Sequence, residues 1–183
     1  RVYAAARAFW EHEDHHLDQG RLSRFVTAYQ QVHVFTMGEL WAVPTMLRLA
    51  LLETLAMAAE RITLQSNDPS VPSDFTSASE SPNALNDNDV VANCIVSLRR
   101  LTSQDWSNFF EGVSLVHLTL AQDPAGVYTH MDFATRDRYR AIVEKLARAT
   151  ALDEIDIAQR AIDLASISGD SARDLDNEVN SRD

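Results

Sequence analysis

Residues 11–18 read EHEDHHLD and contain an H-E-x-x-H match from His12 to His16. On a helix, positions four apart share a face. His12 and His16 could then hold a zinc ion while Glu13 activates a zinc-bound water. The surroundings argue otherwise. Both middle positions are polar, no G-x-x-H continuation follows, and Leu17-Asp18-Gln19-Gly20 reads as the end of a helix. The expectation is a solvent-facing helix end, with a small zinc hydrolase on His12, Glu13 and His16 as the alternative.

A second cluster lies in AGVYTHMDFATRDRYR, residues 125–140, with arginines at Arg136, Arg138 and Arg140. Three guanidinium groups could hold a phosphate or a partner's carboxylates. Yet Ile142, Val143, Leu146 and Ala147 continue the segment as one helical stripe. Asp132–Arg136 and Glu144–Arg148 have the acid-before-base spacing of four that supports a helix, by about 0.2–0.5 kcal/mol per pair. Arg136 and Arg140 lie one turn apart and Arg138 points elsewhere. A solvated face laced with ion pairs is the bland reading. Arg136, Arg138 and Arg140 are the candidate docking or anion-binding residues.

The remaining chemistry is sparse. D-x-D pairs at Asp87/Asp89 and Asp174/Asp176 fall in a linker and a tail, where an acidic chain produces them by chance. There is no Gly-rich phosphate loop and no G-x-S-x-G elbow. Cys94 sits in an apolar helical pattern and reads as core. Trp10, Trp41 and Trp106 could stack on sugars, making a helical glycan-binding module, but each lies on an apolar stripe and reads as core packing. No catalytic residue, resident metal or cofactor is expected.

Composition bounds what can position these groups. A chain of 183 residues suits one domain or two small helical lobes, burying roughly 70% of its unfolded surface. A net charge of -11 argues against nucleic acid and against a polybasic membrane role. The single cysteine allows no internal disulfide. The most apolar run, MGELWAVPTMLRLALLETLAMAA, carries Glu39, Arg48 and Glu53. Mid-bilayer charges cost about 3 kcal/mol each, so a buried helix is preferred to a membrane span.

Periodicity predicts an all-α, multi-helix bundle of six to seven helices, with a flexible linker between two helical halves. RVYAAARAFWEHED already runs at helical period with no initiator Met or capping residue, so the chain is expected to be a fragment entered partway along a helix. A second helix is expected near 18–33. Thr36 and Glu39 form a T-x-x-E capping box. Pro44 should kink the next helix or start a new one, and 46–59 should be the most buried helix. Residues 65–88, rich in Ser, Asn and Pro, read as a linker. Asp89 should cap a helix, another should begin at Ser103 and carry Trp106 to Leu120, and Asp123-Pro124 should open a further one. Helices near 133–149 and 153–167 follow, then a polar, frayed tail from Gly169. The expected domains are 1–64, the linker 65–88, 89–168, and the tail 169–183.

GELWAVPTMLRLALLE at 38–53 and DPAGVYTHMDFATRDRYRAIVEKLAR at 123–148 closely resemble the N-terminal cytoplasmic region of cyclic β-1,2-glucan synthases. RVYAAARAF, RFVTAYQQV at 24–32 and VANCIVSLRRLTSQDWSNFFEGVSLV at 91–116 look like the same region, in the family's order. The family has a considerably longer insert where this chain has 65–88, and His33-Val34-Phe35 and 12–16 differ from its usual residues. The resemblance implies a parent enzyme of the bacterial inner membrane that makes cyclic glucan from UDP-glucose, with its catalytic modules elsewhere. No Q-x-x-R-W signature occurs here; Gln104-Asp105-Trp106 is not one. The expected role is a non-catalytic docking or scaffold segment at the cytoplasmic face, without membrane insertion of its own. Its expected partner is the rest of its own polypeptide.

Overall fold

A computed structural model describes residues 1–66 and 86–180, with side chains for 1–64 and 86–167. Among these residues the chain is all-α, with nine helices and no strand. They are α1 (Val2–His12), α2 (Gln19–Gln30), α3 (Met37–Ser66), α4 (Asp87–Ser103), α5 (Ser107–Val113), α6 (Leu115–Leu120), α7 (Val127–His130), α8 (Phe133–Thr150) and α9 (Glu154–Asn180).

Two compact units result, and they do not follow the expected halves. One comprises Arg1–Tyr29 with Trp41–Asp105, the other Gln30–Leu40 with Trp106–Asp183. Long-range packing explains the difference. Trp10 buries its ring and donates Nε1 to the Leu47 carbonyl at 2.9 Å, while the first turn of α3 packs with α9. The expected linker lies mainly outside the described residues. Its ends do not: 65–66 finish α3, and 87–88 open α4.

In the first unit, Phe9 and Trp10 meet edge-to-face at 5.0 Å between ring centroids. They join Leu22, Leu47, Leu51, Cys94 and Leu101 in the buried core. α4 clamps the turn between α1 and α2. Ser97 Oγ donates to His15 O at 2.6 Å and accepts from Leu17 N at 3.0 Å, while Arg100 Nη1 donates to Leu17 O at 3.2 Å. Arg48 of α3 donates to Leu101 O at 2.9 Å, satisfying a carbonyl in the last turn of α4. Asn86, three residues ahead of the expected Asp89, is the N-cap of α4; its side chain accepts from Asp89 N at 2.9 Å.

α3 runs through Pro44 as one helix, matching the first of the two expected outcomes in having no fresh start there, with Val43 and Leu47 beside the proline buried. It departs from expectation in its burial, since it is not the most buried helix. By length and composition Met37–Leu64 could cross a membrane, with mean hydropathy 1.4 in its most apolar window. Yet only 33% of that window is buried. Leu47, Leu51 and Ala58 turn inward, whereas Leu49, Leu52 and Met57 are exposed.

In the second unit, Met37, Val116, Leu120, Tyr128, Val143, Ala147, Ile157 and Ala158 form the core. The capping box is present: Thr36 N donates to Glu39 Oε2 at 3.0 Å, and Glu39 N to Thr36 Oγ1 at 3.3 Å. The helix expected from Ser103 is instead two, α5 and α6. Ser114 has extended backbone, ends α5, and accepts from His117 N at 3.2 Å as the cap of α6. Asp123-Pro124 does not open a helix. Asp123 accepts from Ala125 N and Tyr128 N, both at 3.1 Å, across a turn completed by Gly126 at φ +67°. This left-handed conformation suits glycine. α9 continues to Asn180, past the tail boundary expected at Gly169.

Candidate functional site

The richest constellation of ionisable groups gathers on α5, α6 and α8. Asp132 caps α8, accepting from Thr135 N at 2.7 Å, which commits its carboxylate to the helix start. Arg136, one turn on, pairs instead with Glu111 of α5 through two near-parallel bonds, Nε–Oε1 2.7 Å and Nη2–Oε2 2.8 Å. Its Nη1 donates to Met131 O at 2.5 Å. Arg140 is 1% exposed. It reaches Glu111 Oε1 at 3.1 Å and Asp137 Oδ1 at 3.2 Å, and its guanidinium lies 4.9 Å from the Phe133 ring centre.

His117 of α6 completes the cluster. Its Nδ1 faces Arg140 Nη1 at 3.4 Å and the Tyr128 hydroxyl at 3.2 Å. An arginine N–H can only donate, so Nδ1 accepts and the imidazole is neutral with its proton on Nε2. Burial pushes His117 below its ordinary pKa; Glu111 opposes this, and the charges of Arg140 and Arg136 add to it. Burial raises Glu111, but hydrogen bonds from Arg136 and Arg140 outweigh it and leave the carboxyl below its usual range. Burial raises the Tyr128 hydroxyl against the pull of Arg140.

Two guanidiniums face two carboxylates, so charge is balanced within the protein. The expected solvated face is therefore corrected. Of the three arginines, Arg140 is buried, Arg136 is largely so, and only Arg138 is exposed. Burying a cation requires a paired, hydrogen-bonded partner. Here that partner is Glu111, 25 residues before Arg136, out of reach of any local spacing rule.

The H-E-x-x-H reading fails on geometry. α1 ends at His12, and Asp14 and His15 adopt left-handed backbone at φ 47° and 63°. The one-face arrangement of His12 and His16 is lost. Glu13 pairs with Arg21 at 2.7 Å. No cluster of three or more His, Cys, Asp or Glu able to hold a metal occurs among the described residues. Asp87 and Asp89 occupy the first turn of α4, where Asp87 takes two bonds from Arg61 Nε at 2.9 and 3.1 Å. The side chains of Asp174 and Asp176 lie outside those described. Cys94 is fully buried, and desolvation raises its thiol. Of the tryptophans, Trp10 is 1% exposed and Trp106 half-buried, while Trp41 is 42% exposed, against its expected place in the core.

One feature had no signal in the sequence. A cleft of about 270 Å³ opens between the start of α3, the start of α6 and the start of α9, lined by Phe35, Met37, Leu40, Val116, Glu154 and Ile155. Glu154 accepts from Met37 N at 2.7 Å, filling an orphan donor at the start of α3. Burial raises its carboxyl, and the Met37 N–H only partly opposes this.

No family model matches the chain, and no solved structure matches it significantly. The chain is similar to the cyclic beta-(1,2)-glucan synthase NdvB of Rhizobium meliloti (strain 1021), with 25% identity over 228 residues. That alignment is longer than the 183-residue chain, so the relative carries residues in this stretch that the chain lacks. The match takes in 90% of this chain but spans only 8% of the relative's length, and the chain is thus a distant relative of one small part of a glucan synthase.

Proposed function

We propose that this chain is a non-catalytic, helical docking segment of a cyclic β-1,2-glucan synthase-like membrane glycosyltransferase. The similarity to NdvB supports it, running through nearly all of this chain and little of that protein. So does the outer face of α3, apolar yet exposed. The arginine cluster serves as an internal staple that holds α8 to α5, and it leaves Arg138 outward as the member available to a partner. The parent enzyme polymerises glucose from UDP-glucose, and its reacting groups lie outside these 183 residues. The segment works at the cytoplasmic face and stays out of the bilayer, because Arg48, Glu53 and Glu60 of α3 would each be costly in hydrocarbon.

The gene supplies the test. Reading the gene past the codon for Asp183 should reveal membrane-spanning helices and a glycosyltransferase module; a stop codon with neither overturns the proposal. Purified chain incubated with UDP-glucose should release no UDP. Turnover by the chain alone would equally overturn it.

A further inference from the structure

The exposed face of α3 is patterned, and the pattern names a partner. Thr45, Leu49, Leu52, Ala56, Ala59 and Thr63 follow one another at spacings of 4, 3, 4, 3 and 4, and all are exposed. Alternating steps of three and four repeat every seven residues, the seam by which one helix receives another. At 1.5 Å per residue the seam runs about 27 Å. It carries no charge. Thr63 turns its hydroxyl back to Ala59 O at 2.8 Å, so a neighbour meets its methyl group. Leu49 and Leu52 are 42% and 51% exposed. The small side chains of Ala56 and Ala59 allow a second helix axis to come close.

The edges of the seam differ. Along one side stand Glu53 and Glu60, both exposed, with Glu53 also accepting from the Tyr3 hydroxyl of α1; along the other, Arg48, Leu55 and Ile62 are half-buried, and Arg48 is engaged with Leu101 O at 2.9 Å. Residues in these flanking positions set partner choice and orientation by charge. An antiparallel second copy would bring Glu53 and Glu60 against the same two acids, which repel. A parallel copy would need the edge of Arg48, Leu55 and Ile62 to face Glu53 and Glu60 of its neighbour, yet that edge is half-buried and its one cation is turned to the Leu101 carbonyl.

We propose that the α3 seam receives a helix from outside these 183 residues, one with an uncharged three-four apolar stripe and lysine or arginine along the edge that meets Glu53 and Glu60. This deepens the docking role above and rests on it.

The test uses the purified chain and two synthetic amphipathic peptides of about four heptads. One carries lysine, the other glutamate, where the peptide would face Glu53 and Glu60. Fluorescence anisotropy at about 50 mM salt should show the lysine peptide binding at least tenfold more tightly, with the gap narrowing as salt rises. Glu53→Lys with Glu60→Lys should invert the preference, and Leu52→Asp should abolish binding of both peptides, with far-UV circular dichroism unchanged. Equal affinity for the two peptides overturns the proposal, as does a preference that survives charge reversal. So does self-association of the chain in sedimentation, its partition onto lipid vesicles through Leu52, or a seam that binds neither peptide. The assay needs only this chain, so its result is independent of what the gene encodes beyond Asp183.

Discussion

Arg136 holds Glu111 through both oxygens, at 2.7 and 2.8 Å, and the same carboxylate takes a third bond from Arg140 at 3.1 Å. Glu111 is therefore the hinge of the charge balance: one anion supports two cations, one of them 1% exposed. Removing it strands a buried guanidinium. Breaking a buried pair from one side costs about 3–5 kcal/mol; with Asp137 still bonded to Arg140 and Arg136 partly exposed, the lower end applies. Glu111→Ala should destabilise the chain by about 3 kcal/mol. Arg136→Ala should cost less, because Glu111 keeps Arg140. Urea midpoints of both variants and their double mutant check this, and a strongly non-additive cycle is expected.

The acid side of the pH dependence follows from three half-buried groups whose effects share one sign. His117 is depressed by burial and by two arginines, and His15 by burial against the pull of Asp14. Between its folded pKa and about 6.5 the unfolded state binds the proton more readily. Stability is thus lost as pH falls below about 6.5 through the folded values. Glu111, also depressed, adds a loss of the same sign at lower pH, as acid falls through its folded pKa. His117→Gln keeps an acceptor for Tyr128 and Arg140 but cannot titrate. Its stability should fall less than that of the parent chain between pH 6.5 and 5, read from urea midpoints across that range.

Glu154 runs the other way. Its folded pKa is raised by burial, so the folded state binds the proton more readily and stability falls as pH rises through that value. At neutral pH a half-buried carboxylate is a cost that its bond to Met37 N only partly offsets. Glu154→Gln retains an oxygen for that N–H and removes the charge. The variant should match or exceed the parent's stability at pH 7 and lose the advantage near pH 4, where thermal melts at both values give the comparison.

How much of this was legible follows the range of each interaction. The capping box at Thr36 and Glu39 involves residues three apart, and sequence spacing states that contact directly; of the apolar stripe read on α8, Val143 and Ala147 are buried while Ile142 and Leu146 are exposed, because Arg140 takes the inward face beside them. The split at Ser114 was hidden because a serine inside an apolar run is equally an interior helix residue or a cap; only the packing around Val113 and Val116 decides. The inward turn of Arg140 was hidden for a different reason. Its partner Glu111 lies 29 positions earlier, and nothing local distinguishes a paired, buried arginine from a solvated one. Ser97 illustrates the same limit. It reads as a polar interruption of α4, yet at 1% exposure it bridges His15 O and Leu17 N, bonds made across 80 or more residues. That bridge is also what holds the left-handed turn that removes His12 and His16 from a common face.

Leu51 and Leu52 are adjacent, chemically identical, and opposite in consequence. Leu51 is 0% exposed and Leu52 is 51% exposed. Leu51→Ala leaves a cavity in a packed core, which costs about 2–5 kcal/mol. Leu52→Ala removes a side chain already in contact with water, so the isolated chain should change by no more than about 0.5 kcal/mol. Hydropathy cannot tell these residues apart, but the geometry can, and chemical denaturation of the two variants measures the difference directly. A loss at Leu52 equal to that at Leu51 would mean that the outer face of α3 is covered within this chain, leaving no room for a docked helix.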